Sequence, residues 1–474
     1  MPRRLRAIIA APLLLAMAAA PAEARAPLMR DSPADALSTA ESRTGDTAGT
    51  TPTTTTSSAT TATAIVPGSV GRTSLRLEVR YTAALTLRWG YASISTAATL
   101  AVRNTSGGPI DRLELNTVAA RLGRMRLRYV TVDGRAVTAT VTGQTIVVPL
   151  GGILPDGAST RVRVGYTAFL RSGTSGSDWM FTKARGIVDL YRWLPWVSRV
   201  RRFERPNFGD PFVTPVSPRV EVTVTTDRPL RIATGGRRTH VSGLSQRFVA
   251  ENVRDFNLTA APDYRAATAW SGDTLVRVFY RPGAPASAML SWAARALARM
   301  EALLGPYPYP TYTVAQSAGG HGMESPALTW IPSGVAASQL PFLVSHETAH
   351  QWFYALVGND QASEPFADEA MADFLARYVT GTLRGSRCAT DRLDRTIYAY
   401  SSGCYYEVIY IQGGNYLNAV RKRMGSSAFW RATRAYLAEN RWSLGGTKRL
   451  LDELDEHTSL GLASTYALRF PRYY

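Results

Sequence analysis

At 474 residues, 45% of them hydrophobic and 19% charged, the chain is long enough for several domains, and its core does not depend on its two cysteines. The net charge of +18 raises the question of nucleic acid, yet residues 70–269 alone hold 29 basic and 14 acidic groups, against 19 and 17 in residues 270–474. Only Lys183, Lys422 and Lys448 are lysines, so an arginine-coated surface from a GC-rich coding bias accounts for the excess, and nucleic acid is not expected as a partner.

Arg3, Arg4 and Arg6 precede the apolar run 7–20, and small-residue sites follow at Ala22-Glu23-Ala24 and Ala24-Arg25-Ala26. This is the layout of a secretory signal peptide, assigned to residues 1–26. The run is shorter than the roughly 20 residues a bilayer requires, and no later segment is apolar enough for a membrane helix. Export to the cell envelope or the medium is the expectation. Residues 27–70 are rich in Thr, Ala, Ser and Pro and form an expected flexible linker, because they cannot bury enough surface to offset the cost of ordering.

Residues 71–268 read as β. Leu75, Leu77, Val79 and Tyr81 alternate with polar residues, and further apolar runs lie at 145–150, 162–166, 220–224 and 256–260. Turn pairs such as Asp133-Gly134 and Gly235-Gly236 separate them, which predicts an antiparallel β-sandwich domain. Arg124, Arg126 and Arg128 are expected on the wet face of one strand. The basic excess of this region raises an expectation of weak binding to anionic cell-envelope polymers.

From Pro285 the period becomes helical, with Met289, Leu290, Trp292, Ala293, Leu297, Met300, Leu303 and Leu304 recurring at helical spacing and Gly305-Pro306 as the stop. A strand at 311–316 leads into Gly319-Gly320-His321-Gly322-Met323-Glu324-Ser325, and helices are expected near 338–357, 366–381, 405–424, 427–440 and 447–457. Residues 269–474 thus form a mostly helical α+β domain with one small sheet. Cys388 and Cys404, with fifteen residues between them, form a loop-closing disulfide in an oxidising compartment or stay as two buried thiols.

Residues 342–353 contain H-E-x-x-H. Residues four apart on a helix lie about 40° apart around its axis, so His346 and His350 face one point and Glu347 sits beside it. Burying this set on an apolar face without a metal would be costly. A catalytic zinc takes three protein ligands and keeps one position open. Glu369, with eighteen residues between it and His350, is the candidate third ligand.

This pattern, preceded by a G-x-M-E-type loop, resembles the M1 family of gluzincin metallopeptidases, which includes the zinc aminopeptidases. The family's G-A-M-E-N strand aligns with residues 321–325, its Trp and Phe after the second His with Trp352 and Phe353, and its N-E-G-F-A motif with residues 368–372. Its Y-E-K-G element aligns with Tyr410-Ile411-Gln412-Gly413, and Trp193-Leu194-Pro195-Trp196 occupies the place of its F-P-x-x-D-E-P segment. Ser325 and Asp368 stand where the motifs have Asn, Ile411 and Gln412 replace Glu-Lys, and D-E-P is missing.

The resemblance implies a thermolysin-like catalytic domain and one zinc per chain on His346, His350 and Glu369. It implies Glu347 as general base toward a zinc-activated water and Tyr410 as a hydrogen-bond donor to the developing oxyanion. Gly322, Met323 and Glu324 would bind a peptide substrate, with Glu324 on its α-amine. The family's large C-terminal helical domain is expected to be lacking. Two rival readings are a secreted endopeptidase with an opened groove, and a cell-surface binding protein with a vestigial zinc site.

Overall fold

Leu77–Arg88 and Ser93–Asn104 bury every second side chain, the period-two pattern that makes one face of a sheet apolar and the other wet. They pair antiparallel within an eight-stranded sheet, and Ser159–Phe169 pairs with the second of them. The computed structural model describes residues 64–200, 211–382, 385–386, 388–389, 392–401 and 403–474. The expected signal peptide and most of the expected linker lie outside the described residues. The end of that linker is tied down. Val66 bridges to Ile153, and Asp111 accepts hydrogen bonds from the Ser69 hydroxyl and the Val70 and Gly71 N–H groups.

The expected all-antiparallel sandwich is corrected on the other side of this sheet. Val220–Thr226 runs parallel to Leu77–Arg88, with Val220 opposite Tyr81. Alternating burial looks the same in either direction, and the long intervening chain leaves room for a crossover. Two four-stranded sheets complete the region. One is ordered Arg231–Thr234, Leu258–Ala261, Ile187–Leu190, Phe181–Ala184; the other Trp196–Val197, Ile110–Asn116, Thr145–Leu154, Thr140–Thr142. The three arginines do not share one strand face either. Strand Arg126–Val132 starts after Arg124, whose φ is 46°, and a bulge between Leu127 and Tyr129 breaks the alternation.

A five-stranded sheet carries the helical part, in the order Arg265–Ser271, Thr274–Tyr280, Thr311–Ser317, Leu328–Pro332, Met323–Ser325. Helix Ala286–Leu304 buries Met289, Ala293, Leu297, Met300 and Leu304 and forms the crossover between the parallel strands Thr274–Tyr280 and Thr311–Ser317. Met323–Ser325 is the edge strand and lies beside helix Leu340–Ala349. Helices Met371–Thr380, Gly413–Met424, Ser426–Glu439 and Thr447–Glu456 follow. The sheet-rich and helical parts share one continuous core. Among the described residues no helix is long and apolar enough to cross a membrane.

Three helices differ from their periodicity. The one expected near 338–357 is regular only to Ala349; beyond it the N–H groups of Ala355, Leu356 and Val357 reach five residues back, to the carbonyls of His350, Gln351 and Trp352, and Arg254 from the sheet-rich part takes the carbonyls of Ala355 and Leu356. Tyr354, at φ 145°, points its hydroxyl to the buried Asp255 and receives Arg192 Nη2 at 2.8 Å. The helices expected at 366–381 and 405–424 both open with a wide π turn, Phe366–Ala370 and Tyr406–Gln412. Insertions of this kind are often found at functional sites.

Candidate metal centre

His346 lies in the last turn of helix Leu340–Ala349 and His350 caps its end, while Glu369 comes from the first π turn. Their donor atoms converge. His346 Nε2 is 3.3 Å from His350 Nε2 and 3.3 Å from Glu369 Oε2, and His350 Nε2 is 3.5 Å from the same oxygen. A tetrahedral ion with bonds of about 2.0–2.1 Å sets its ligands about 3.3–3.4 Å apart, so the three side chains fit one zinc-sized cation. All three are buried.

The outer contacts fix which ring atoms face inward. His350 Nδ1 lies 2.8 Å from Asp368 Oδ1 and 3.0 Å from the Phe353 carbonyl. Both partners accept, so Nδ1 carries the hydrogen and Nε2 offers its lone pair to the centre. Burial opposes a charge on His350, but Asp368 and Glu369 raise its proton affinity well above the ordinary histidine range. Burial likewise works against ionised Glu369, and the hydrogen bonds and charges of His346 and His350 overcome it, holding the carboxyl well below its usual range. A pocket that draws a proton this strongly also favours a cation.

His346 is held by its faces. Its ring stacks on Tyr410 at 5.6 Å and 15°, and Phe342 covers it at 5.9 Å and 27°. Tyr405 and Tyr406 pack around Tyr410 at 5.8 and 4.7 Å. The segment bearing Tyr410 approaches that of Glu369 so closely that two positions take glycine. A Cβ at Gly413 would lie 2.7 Å from the Ala370 methyl, and one at Gly414 would lie 2.8 Å from Asp373 Oδ2.

Glu347 and Glu324 lie beside the three converging side chains. Ligand atoms of Glu324, Glu347 and His350 lie within 4.8 Å of one another. The Glu347 carboxylate rests against the Gly322 backbone, where a Cβ would be 2.1 Å from Oε1. Met323 and Glu324 follow on the buried edge strand, and His321 packs 5.8 Å from Trp179.

The departures from the family's motifs have local partners. Ser325 Oγ bonds Asp255 and receives Asn257 Nδ2 at 3.2 Å. Gln412 Nε2 donates to the Cys388 carbonyl at 2.6 Å, and Cys388 and Cys404 are joined by a disulfide. Sequence reasoning missed Gln361, Arg192, Tyr354 and Asp255. Gln361 lies between the ligand-bearing helices, where no motif or periodicity marks it, and reaches both Glu324 and Asp368 at 2.9 Å.

No family model matches the chain, and no curated protein does. Solved structures do. A crystal structure of a glutamate-to-alanine variant of an M1 zinc metallopeptidase from Deinococcus radiodurans is similar with a TM-score of 0.65 at 20% identity, over 85% of this chain and 96% of that one. The same variant bound to a Tyr-Ser-Ala substrate gives 0.65 and 20%, over 86% and 96%. A two-domain M1 zinc metallopeptidase variant bound to L-arginine gives 0.64 and 21%, over 83% and 93%. The chain has the fold of these proteins, a sheet-rich N-terminal region followed by a helical part.

Proposed function

We propose that this protein is a zinc-dependent peptidase that removes residues from the N-termini of peptides. The observation that carries the reading is the convergence of His346 Nε2, His350 Nε2 and Glu369 Oε2 at the ligand spacing of a tetrahedral ion, with two further carboxylates alongside. These three residues hold one zinc per chain. When bound, zinc supplies a Lewis acid that brings the pKa of a water to about 7.

The chain's own residues do the rest. Glu347 takes the proton of the attacking water and passes it to the leaving amine. Tyr410 donates a hydrogen bond to the oxygen on which charge develops, a contact typically worth about 3 kcal/mol. Glu324 binds the α-ammonium through a charge-assisted hydrogen bond, and Gly322 and Met323 line the peptide beside it. A protein of the same fold is bound to a Tyr-Ser-Ala substrate, which supports peptides as the substrate class. Export rests on the arginines, apolar run and small-residue sites of residues 1–26. Absence of those residues from the mature N-terminus, read by sequencing, tests it.

The experiment that tests the activity compares a free-amine tripeptide with its N-acetylated form. Trimming of the free peptide one residue at a time, with the acetylated one a poor substrate, is the expected result. Internal cleavage of the acetylated peptide at an equal rate would overturn Glu324 as amine anchor and favour an endopeptidase.

A further inference from the structure

We propose that Gln361 is a positioning residue that sets the amine-anchoring Glu324 and the metal ligand His350 through one buried amide. The inference rests on the peptidase reading and concerns a residue outside its motifs. Gln361 Nε2 donates one hydrogen bond to Glu324 Oε1 and one to Asp368 Oδ2, both at 2.9 Å. Its Oε1 accepts from Arg192 Nη2 at 3.4 Å, and its backbone N–H bonds the Phe212 carbonyl. These neighbours decide the orientation of the amide. Two carboxylates on one side need donors, and a guanidinium on the other needs an acceptor.

Each carboxylate has a task on its other side. Asp368 Oδ1 holds Nδ1 of His350 at 2.8 Å, and the Glu324 carboxylate lies within 4.8 Å of ligand atoms of Glu347 and His350. Asp368 stands where the resembled motif has Asn, so this chain carries one more buried acid beside the metal ligands, and Gln361 gives it a donor. Arg192 fixes the amide in turn. Its Nη2 also bonds the Tyr354 hydroxyl and lies 4.0 Å from Asp255, which anchors the chain of contacts in the sheet-rich part. Removing the direct partner of a metal ligand, as Asp368 is to His350, typically changes metal affinity by about 10–100-fold, and Gln361 acts one contact further out, through that partner. A shift of about 1 Å in a substrate anchor costs a comparable factor.

The test uses full-length Gln361→Met, which fills the same space without donors. KM and kcat are measured for a free-amine tripeptide and its N-acetylated form under saturating zinc, alongside the rate of zinc release to excess chelator and the Tm. KM for the free peptide should rise about 10-fold with a smaller change for the acetylated one, and zinc release should accelerate by up to about 10-fold, the lower end of what losing a ligand's direct partner does. Combining it with Asp368→Asn should accelerate release no further than the stronger single variant. If the Met variant does not fold, Gln361→Asn keeps the amide, shortens its reach and should show the same split in weaker form. Wild-type KM and release rate in a folded variant would overturn the inference. So would a parallel loss on both peptides that tracks Tm with release unchanged. A wild-type protein that neither holds zinc nor trims peptides removes the peptidase reading, and this inference with it.

Discussion

Tyr410 shows what a single hydroxyl does on the proposed reading. Its ring already stacks on His346, so Tyr410→Phe keeps the packing and removes the donor alone. Turnover should fall about 100-fold with zinc content unchanged, checked by kcat and metal analysis; an unchanged kcat would return Tyr410 to a packing role. Asp189 shows a different residue-scale effect. Its oxygens accept from Thr259 Oγ1 at 2.6 Å and the Ala318 N–H at 2.7 Å, and burial pushes its carboxyl up to about 7. An unfolded aspartate releases its proton near 3.8, so between these values the folded state binds the extra proton. Stability from this group is therefore complete below about pH 4, declines as pH rises and is lost above about 7, by roughly 4 kcal/mol at most. Asp189→Asn should flatten that decline in denaturation curves taken from pH 4 to 7, and identical profiles would contradict it. The pair His346 and His350 was legible because its spacing is local. Gln361, Arg192, Tyr354 and Asp255 were not, because separate segments supply them and only the fold joins them.

At the scale of elements, two π turns bring the site together. Phe366–Ala370 presents Glu369, Tyr406–Gln412 presents Tyr410, and Gly413 and Gly414 let the two segments touch. Gly413→Ala puts a methyl 2.7 Å from that of Ala370. Overpacking of this kind typically costs about 1–3 kcal/mol, so Tm should drop and turnover should fall with it. A variant with unchanged Tm and turnover would show that the contact is not needed. The existence of these helices was legible from apolar spacing, but their π turns were not, since the same residues stay apolar when a turn widens. The early stop at Ala349 was hidden for another reason. Past it the bonds reach five residues back instead of four, and Arg254, far away in sequence, holds the carbonyls of Ala355 and Leu356, which no local pattern marks.

Across the whole molecule, the fold joins a sheet-rich region to a helical part, and the amide of Gln361 and the side chains of Arg192 and Asp255 link the two next to the centre. Composition and alternation indicated strands, yet they could not tell the parallel pairing of Val220–Thr226 from an antiparallel one. The basic excess lies partly in Arg103, Arg161 and Arg163, exposed on the wet side of the eight-stranded sheet, which needs no polymer to explain it. On the proposed reading, Glu347 moves a proton beside a zinc held by three other residues. Measuring zinc stoichiometry and turnover of Glu347→Gln tests it most directly. The variant should hold one zinc per chain, as the wild type does, with turnover reduced by about 100-fold or more. A variant that loses its zinc, or that turns over near the wild-type rate, would contradict it.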